Sequence, residues 1–327
     1  MEVEQVLGHW DTRSVSGVEP VLRGSVNRVF RVQTAQSTLY LRMYRSSDEA
    51  VLEREVQVMA AARAGGVQMP LTVPTRSGSA WLNLDGQLCA LFTAAKGTQV
   101  ARSELNRNHA TSAGACLARL HRALESLPDL GWRRYRIDYA VAEWLTRLDA
   151  LEGAISALAA PDDTDVWALE RLRAQRDWLA DPGCPHAAPP TGPRQVIHGD
   201  VSHGDYHDGN LFFAGNAAAF HVSGVIDWEQ AAWMPRAFEA IRSAQYMFGH
   251  APVLASAFLT AYLPGLKKDR SEMQPAARAY GVQADHNVWA LEEAYLHGNA
   301  RARVFIPHAP FRPFSSFWRE VQEGLEL

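Results

Sequence analysis

The strongest constraint on this fold is a change in hydrophobic periodicity at Lys96-Gly97. Upstream of it, apolar residues recur at every second position. In "STLYLRMYR", Leu39, Leu41 and Met43 fall on one face and Arg42 on the other, the alternation of a half-buried strand. "VEPVLRG" and "NRVFRVQT" read as strands joined by a Gly-Ser turn, and "SAWLNLD" and "QLCALFTAA" flank Asp85-Gly86, a two-residue hairpin signal. One helix interrupts them. "SSDEAVLEREVQVMAAARAGG" opens on capping residues, closes on two glycines and carries Val51, Leu52, Val56 and Met59 as its apolar stripe.

Downstream the period lengthens to that of a helix. "ELNRNHATSAGACLARLHRALESL" sets Ala110, Ala113, Leu117, Leu120, His121 and Leu124 near one side, and "YAVAEWLTRLDALEGAISALAA", "DTDVWALERLRAQRDWLA", "APVLASAFLTAYL" and "DHNVWALEEAYLHGNARARV" continue as helix. "DPGCPHAAPPTGPR", with five prolines, is expected to be a surface loop. The pattern predicts an α+β chain, strand-rich over residues 1–95 and mostly helical over 96–327.

Composition removes several classes of function. A net charge of −4 supplies no basic field for nucleic acid or anionic lipid, and no apolar run approaches the roughly 18 residues of a membrane span. The start, "MEVEQVLGHWDTR", lacks the basic and apolar pattern of a signal peptide. Cys89, Cys116 and Cys184 are scattered and form neither a disulfide framework nor a CxxC site. A reduced cytoplasm is the expected compartment.

Chemistry concentrates in "QVIHGDVSHGDYHDGNLFF", residues 195 to 213, where His-Gly-Asp occurs twice. Asp205 and Asn210 stand at the interval of a kinase catalytic loop, in which a compact turn places a carboxylate beside an acceptor hydroxyl and turns an amide oxygen toward a metal ion. Asp227 ends the next strand, "VSGVID", where a second metal-binding carboxylate is needed. Asp200 is the rival base. Choosing it puts five further residues inside the loop, whereas choosing Asp205 leaves them upstream, where length is cheap to absorb. Asp205 is therefore preferred.

"HGDYHDGNLFF" with "VSGVIDWEQA", supported upstream by "GSVNRVFRV", "LYLRMYR" and "LARLHRAL", resembles the aminoglycoside phosphotransferase and choline kinase superfamily of small-molecule kinases. The resemblance implies a two-lobed protein-kinase-like fold, with a small antiparallel-sheet lobe bearing one helix and a larger helical lobe carrying a catalytic β-hairpin. It implies transfer of the γ-phosphoryl group of ATP, with Mg²⁺, to the hydroxyl of a small molecule such as an aminoglycoside, choline, ethanolamine or homoserine. Asp205 would orient that hydroxyl and accept its proton, while Asn210 and Asp227 would hold Mg²⁺. Gly24 and Ser25 would bring N–H groups to the phosphates, with Asn27 shaping the turn. Arg42 stands where this fold normally has lysine; Glu55 would pair with it, and Glu53 is the second choice. His203 would be a buried structural residue.

Two other readings stay open. Arginine at position 42 motivates a nucleotide-binding pseudokinase with a regulatory role. His198, His203 and His207 raise a metal-dependent hydrolase, which their spacings and the lack of HExxH disfavour. Trp228, Glu229, Trp233, Tyr246, Trp289, Glu292, Glu293, Tyr295 and Trp318 are candidate walls of the acceptor site. Acceptor identity and oligomeric state are not readable from these residues.

Overall fold

The computed structural model describes residues 2–12, 14–21, 27–129, 131–137, 141–185, 195–196, 200–216 and 219–325. The expected Gly-Ser turn, including Gly24 and Ser25, lies outside the described residues, as do His198 and most of the proline-rich stretch.

A short helix α1 (Val3–Leu7) precedes strands β1 (Val15–Val21), β2 (Arg28–Thr34) and β3 (Thr38–Met43); helix α2 (Glu49–Ala64) then crosses over to β4 (Thr72–Val73), β5 (Leu82–Leu84) and β6 (Gln87–Thr93). The sheet runs β1-β2-β3-β6-β4 with β5 on β6, and every pair is antiparallel. Asp85 and Gly86 form the β5–β6 turn with φ of 51° and 84°, the positive pair that a two-residue hairpin favours. Leu39, Leu41 and Met43 are buried under Val6, Leu7 and Trp10, as their alternation predicts. The opposite face carries Tyr40, Arg42 and Tyr44 and packs against α2.

Helix α2 departs from expectation in its stripe. Leu52, Glu55, Val58, Met59 and Ala62 are buried, whereas Val56 is only half-buried. A carboxylate takes a core-facing position here because two donors from the sheet, Arg42 and Tyr44, meet it.

The remaining elements are α3 (Arg107–Leu124), β7 (Arg136–Ile137), α4 (Val141–Ser156), α5 (Asp163–Ala180), β8 (Gln195–Val196), β9 (Asp200–Ser202), β10 (Leu211–Asn216), β11 (Ala219–Val225), β12 (Ala232–Met234), α6 (Arg236–Phe248), α7 (Pro252–Tyr262), α8 (Met273–His286), α9 (Trp289–Leu291) and α10 (Phe314–Leu325). Asn106 caps α3, its Oδ1 accepting from the His109 N–H while its own N–H donates to His109 Nδ1, and all six residues expected on the inner side of α3 are buried. The long helix expected over 285–304 is broken: α8 ends at His286, and a π-helical turn over 292–296 and a 3₁₀ turn over 300–305 follow. Gly298, at φ 69°, turns the chain between those two segments.

The sheet and the helical region meet at Gly97. Its φ is 85°, and a Cβ there would lie 2.3 Å from the carbonyl oxygen of Phe213, so a side chain is excluded. That close approach lets Thr98 exchange two backbone hydrogen bonds with Phe213 at 2.9 and 2.8 Å. Ser223 Oγ also donates to the Lys96 carbonyl at 2.6 Å. The β10–β11 hairpin is thereby fastened to the end of the sheet. No helix among the described residues is long and apolar enough to cross a membrane.

Candidate active site

The loop between β9 and β10 is organised by a carboxylate that the sequence did not single out. Glu239, on α6, is fully buried and accepts from the His203 N–H at 3.1 Å, the Gly204 N–H at 2.5 Å and His121 Nε2 at 2.7 Å. Burial disfavours its charge, but these donors outweigh that cost and hold its carboxyl below the usual range. Gly204 has φ 84°, and a Cβ there would lie 2.0 Å from the Gln230 carbonyl oxygen. Only glycine makes this bend.

His203 ties the loop to the following strand. Its Nδ1 accepts from the Asp205 N–H at 3.2 Å, so Nε2 carries the proton and donates to the Ile226 carbonyl at 3.0 Å. Burial lowers its pKa. The ring packs 4.7 Å from Trp228. One imidazole therefore connects the backbone of Asp205 to the residue before Asp227. Asn210 completes the unit: Nδ2 donates to the Asp205 carbonyl at 2.9 Å and to its carboxylate at 3.3 Å, and the Asn210 carbonyl accepts from the Ile226 N–H at 3.0 Å.

Asp205 also receives Arg242 Nη2 at 2.8 Å and His207 Nε2 at 3.3 Å. Burial opposes its ionisation, yet the His207 contact and the Arg242 charge hold it well below the usual carboxylate range. Asp200 lies elsewhere. It begins β9 and pairs with buried Arg236 at 3.3 Å and Lys267 at 3.0 Å.

Across the cleft, Arg42 gathers three carboxylates. Nη1 meets Glu55 at 3.2 Å, and Nη2 meets Asp227 at 2.7 Å and Glu229 at 2.6 Å. Tyr44 donates to Glu55 at 2.9 Å, while Glu53 is exposed. Asn27 Nδ2 reaches Glu229 at 2.5 Å, and its Oδ1 accepts from the Arg45 N–H at 2.9 Å. The structure thus brings together Asn27, Arg42, Glu55 and Asp227 on one side, and Asp205, Asn210 and Asp227 on the other. Asp227 belongs to both groups; its φ of 66° turns it out of β11, and its side chain is 41% exposed.

Oxygen donors from Asp227 and the Asn210 amide suit a hard cation such as Mg²⁺, which is commonly held by one or two carboxylates and completed by phosphate and water. Among the described residues, no group of three or more His, Cys, Asp and Glu is arranged to hold a metal by itself. Both nitrogens of His203 are committed to the loop backbone, and His207 Nδ1 accepts from the Gly209 N–H at 3.0 Å. The hydrolase reading loses two of its three ligands on this geometry.

The candidate acceptor walls disperse. Trp228 is core, and Trp318 stacks under Phe314. Tyr295 and Arg303 meet on Asp165, Glu292 pairs with Arg147, Trp233 lies under Arg134, and Trp289 contacts Phe305. Glu293 lines a cleft of about 580 Å³ with Arg45, His297, Asn299 and Arg301. None of those residues touches Asp205. Three of the set stay at the site: Trp228 under the His203 ring, Glu229 on Arg42, and Tyr246 5.0 Å from the His207 ring.

Residues 17–276 match the profile of the phosphotransferase enzyme family, APH. Homoserine kinases of Xanthobacter autotrophicus and Bradyrhizobium diazoefficiens are 28% and 27% identical over 229 and 231 residues, each match taking in 69% of this chain. The chain spans 63% and 62% of those relatives' lengths. Among solved structures, spectinomycin phosphotransferase in complex with ADP and spectinomycin superposes with a TM-score of 0.61 at 12% identity, covering 98% of this chain and 92% of that one. Amicoumacin kinase in complex with AMP-PNP and Ca²⁺ gives 0.58 at 14%, covering 96% of each. These likenesses show the protein-kinase-like fold.

Proposed function

Because the chain belongs to the phosphotransferase enzyme family, we propose that it transfers the γ-phosphoryl group of ATP to the hydroxyl of a small molecule, with Mg²⁺. One observation carries the reading. His203 and Glu239 hold Asp205, Asn210 and Asp227 as a single unit, directly across from the Arg42–Glu55 pair.

In this reading Asp205 orients the acceptor hydroxyl and takes its proton. Its depressed pKa makes it a weak base, which suits a loose transition state in which orientation contributes more than early proton removal. Arg42 grips phosphate oxygens, its second nitrogen exchanging Asp227 and Glu229 for them while Glu55 keeps the first. Gly24 and Ser25 offer backbone N–H groups, and Asn27 shapes their turn. The Asn210 amide oxygen and Asp227 hold Mg²⁺, which supplies charge neutralisation on the phosphates. ATP then lies between residues 1–95 and 96–327. Homoserine, from the named relatives, and spectinomycin or another aminoglycoside, from the structural ones, are the first acceptors to try.

The test is ATP consumption with a panel of alcohols. Turnover with at least one acceptor, lost in Asp227→Ala, is required. The saturation of Arg42 by three carboxylates favours a second reading, a pseudokinase. Stabilisation by nucleotide without phosphorylation of any acceptor would select it.

A further inference from the structure

Beside Asp205 an aromatic ring sits among paired charges: Arg102 bonds Asp208 at 2.9 Å and Arg242 bonds Asp205 at 2.8 Å. Tyr246 is flanked by the guanidinium of Arg102 at 4.7 Å, that of Arg242 at 5.8 Å and the His207 ring at 5.0 Å.

Arg242 has one donor that no neighbour among the described residues meets. A guanidinium presents five donors in a fixed fork, and Nη2 is committed to Asp205 at 2.8 Å. Nη1 is sealed from solvent and has no hydrogen-bond partner among the described residues. An unmatched buried donor on a cation is costly, and it is matched best by an anionic oxygen. The unmatched cationic donor therefore stands on the same guanidinium that bonds the base.

Resting on the phosphotransferase reading, we propose that the acceptor is a short hydroxy acid whose carboxylate binds Arg242 Nη1. Arg242 then bridges the substrate carboxylate and Asp205, which sets the distance between the anchored end of the acceptor and the residue that orients its hydroxyl.

The experiment is calorimetric titration of the full chain with AMP-PNP alone, then, with AMP-PNP and Mg²⁺ present, with glycerate, 4-hydroxybutyrate and L-homoserine, each paired with its carboxamide. The carboxamide keeps the hydroxyl and the shape but drops the charge. At least one acid is expected to bind about tenfold or more tightly than its carboxamide. Arg242→Met should abolish that ratio, and Arg242→Lys should retain part of it; a purely structural Arg242 would leave the ratio unchanged. Equal binding of acids and carboxamides, a ratio that survives Arg242→Met, or no binding of any acid overturns the proposal. The AMP-PNP titration separates the two readings. If nucleotide binds and the acids fail, only the acceptor class falls; if nucleotide itself fails to bind, the phosphotransferase reading falls.

Discussion

Arg42 and Asp227 stand 185 residues apart in the chain and meet at 2.7 Å. The same guanidinium nitrogen reaches Glu229 at 2.6 Å, and its neighbour reaches Glu55 at 3.2 Å. Lysine has one nitrogen and could not span this arrangement in the same geometry. With the Arg42 side chain 12% exposed and Glu55 at 4%, the pair is nearly dry, so removing one partner strands the other.

Arg42→Ala should therefore cost about 3 kcal/mol in urea unfolding, since Tyr44 is left as the remaining donor to Glu55. Arg42→Met with Glu55→Leu should recover part of that loss, because Glu55 is no longer stranded, whereas Glu229 keeps Asn27 but loses its cation. Arg42→Lys should fall between the single variant and wild type. A change within about 0.5 kcal/mol for Arg42→Ala would mean that the pair is idle.

Asp205 and Asp200 should separate cleanly. Asp205→Asn is expected to lower phosphoryl transfer by roughly 10²–10⁴-fold while nucleotide binding persists. Asp200→Asn should leave transfer within a few-fold of wild type and instead reduce stability, because Arg236, with its side chain 2% exposed, keeps only the half-exposed Glu125 at 3.5 Å as a charge partner. If the Asp200 variant is the inactive one, the assignment of the loop fails.

The local parts of this fold were readable because local rules decide them. Period-two alternation placed Leu39, Leu41 and Met43, a positive-φ pair placed the Asp85-Gly86 turn, and helical spacing placed the inner side of α3. The triad Asp205, Asn210 and Asp227 was readable through spacing within one hairpin. Glu239 and Arg242 were not, since each looks like an ordinary charged residue on a helix and gains its meaning from a loop more than 30 residues upstream. One signal was available: Glu239 sits among Ala237, Phe238, Ala240 and Ile241, all buried, and a carboxylate in such a run needs donors. Glu55 hid the true stripe of α2 for the same reason. The 285–304 segment misled because its apolar spacing continued across Asn287 and Gly298, where the backbone breaks.

Glu239→Gln tests whether that carboxylate organises the loop. The amide has one acceptor oxygen where three donors now converge on two, and its NH₂ would face one of them. A loss of about 3 kcal/mol is expected, together with weaker protection of the Gly204 amide against hydrogen exchange. Unchanged exchange at Gly204 would show that the Gly204 bend holds by glycine geometry alone.

The pH dependence of stability follows from His203. Its pKa is lowered in the folded protein from the ordinary 6.5, so as pH falls through about 6.5 the unfolded chain takes up a proton that the folded state refuses. Unfolding is then favoured by proton uptake, and stability declines on the acid side of that point rather than the alkaline side. His109, also lowered by burial, adds in the same direction. Asp205 does not titrate in this window, because its carboxyl is held far below it. Each refused proton steepens the dependence by up to about 1.4 kcal/mol per pH unit. Urea unfolding of wild type and His203→Gln at pH 5, 6 and 7 measures the share of His203: the variant should be less stable at pH 7 but show a shallower decline toward pH 5. Equal slopes would place the titration on other groups and remove the fixed neutral tautomer from the account of the loop.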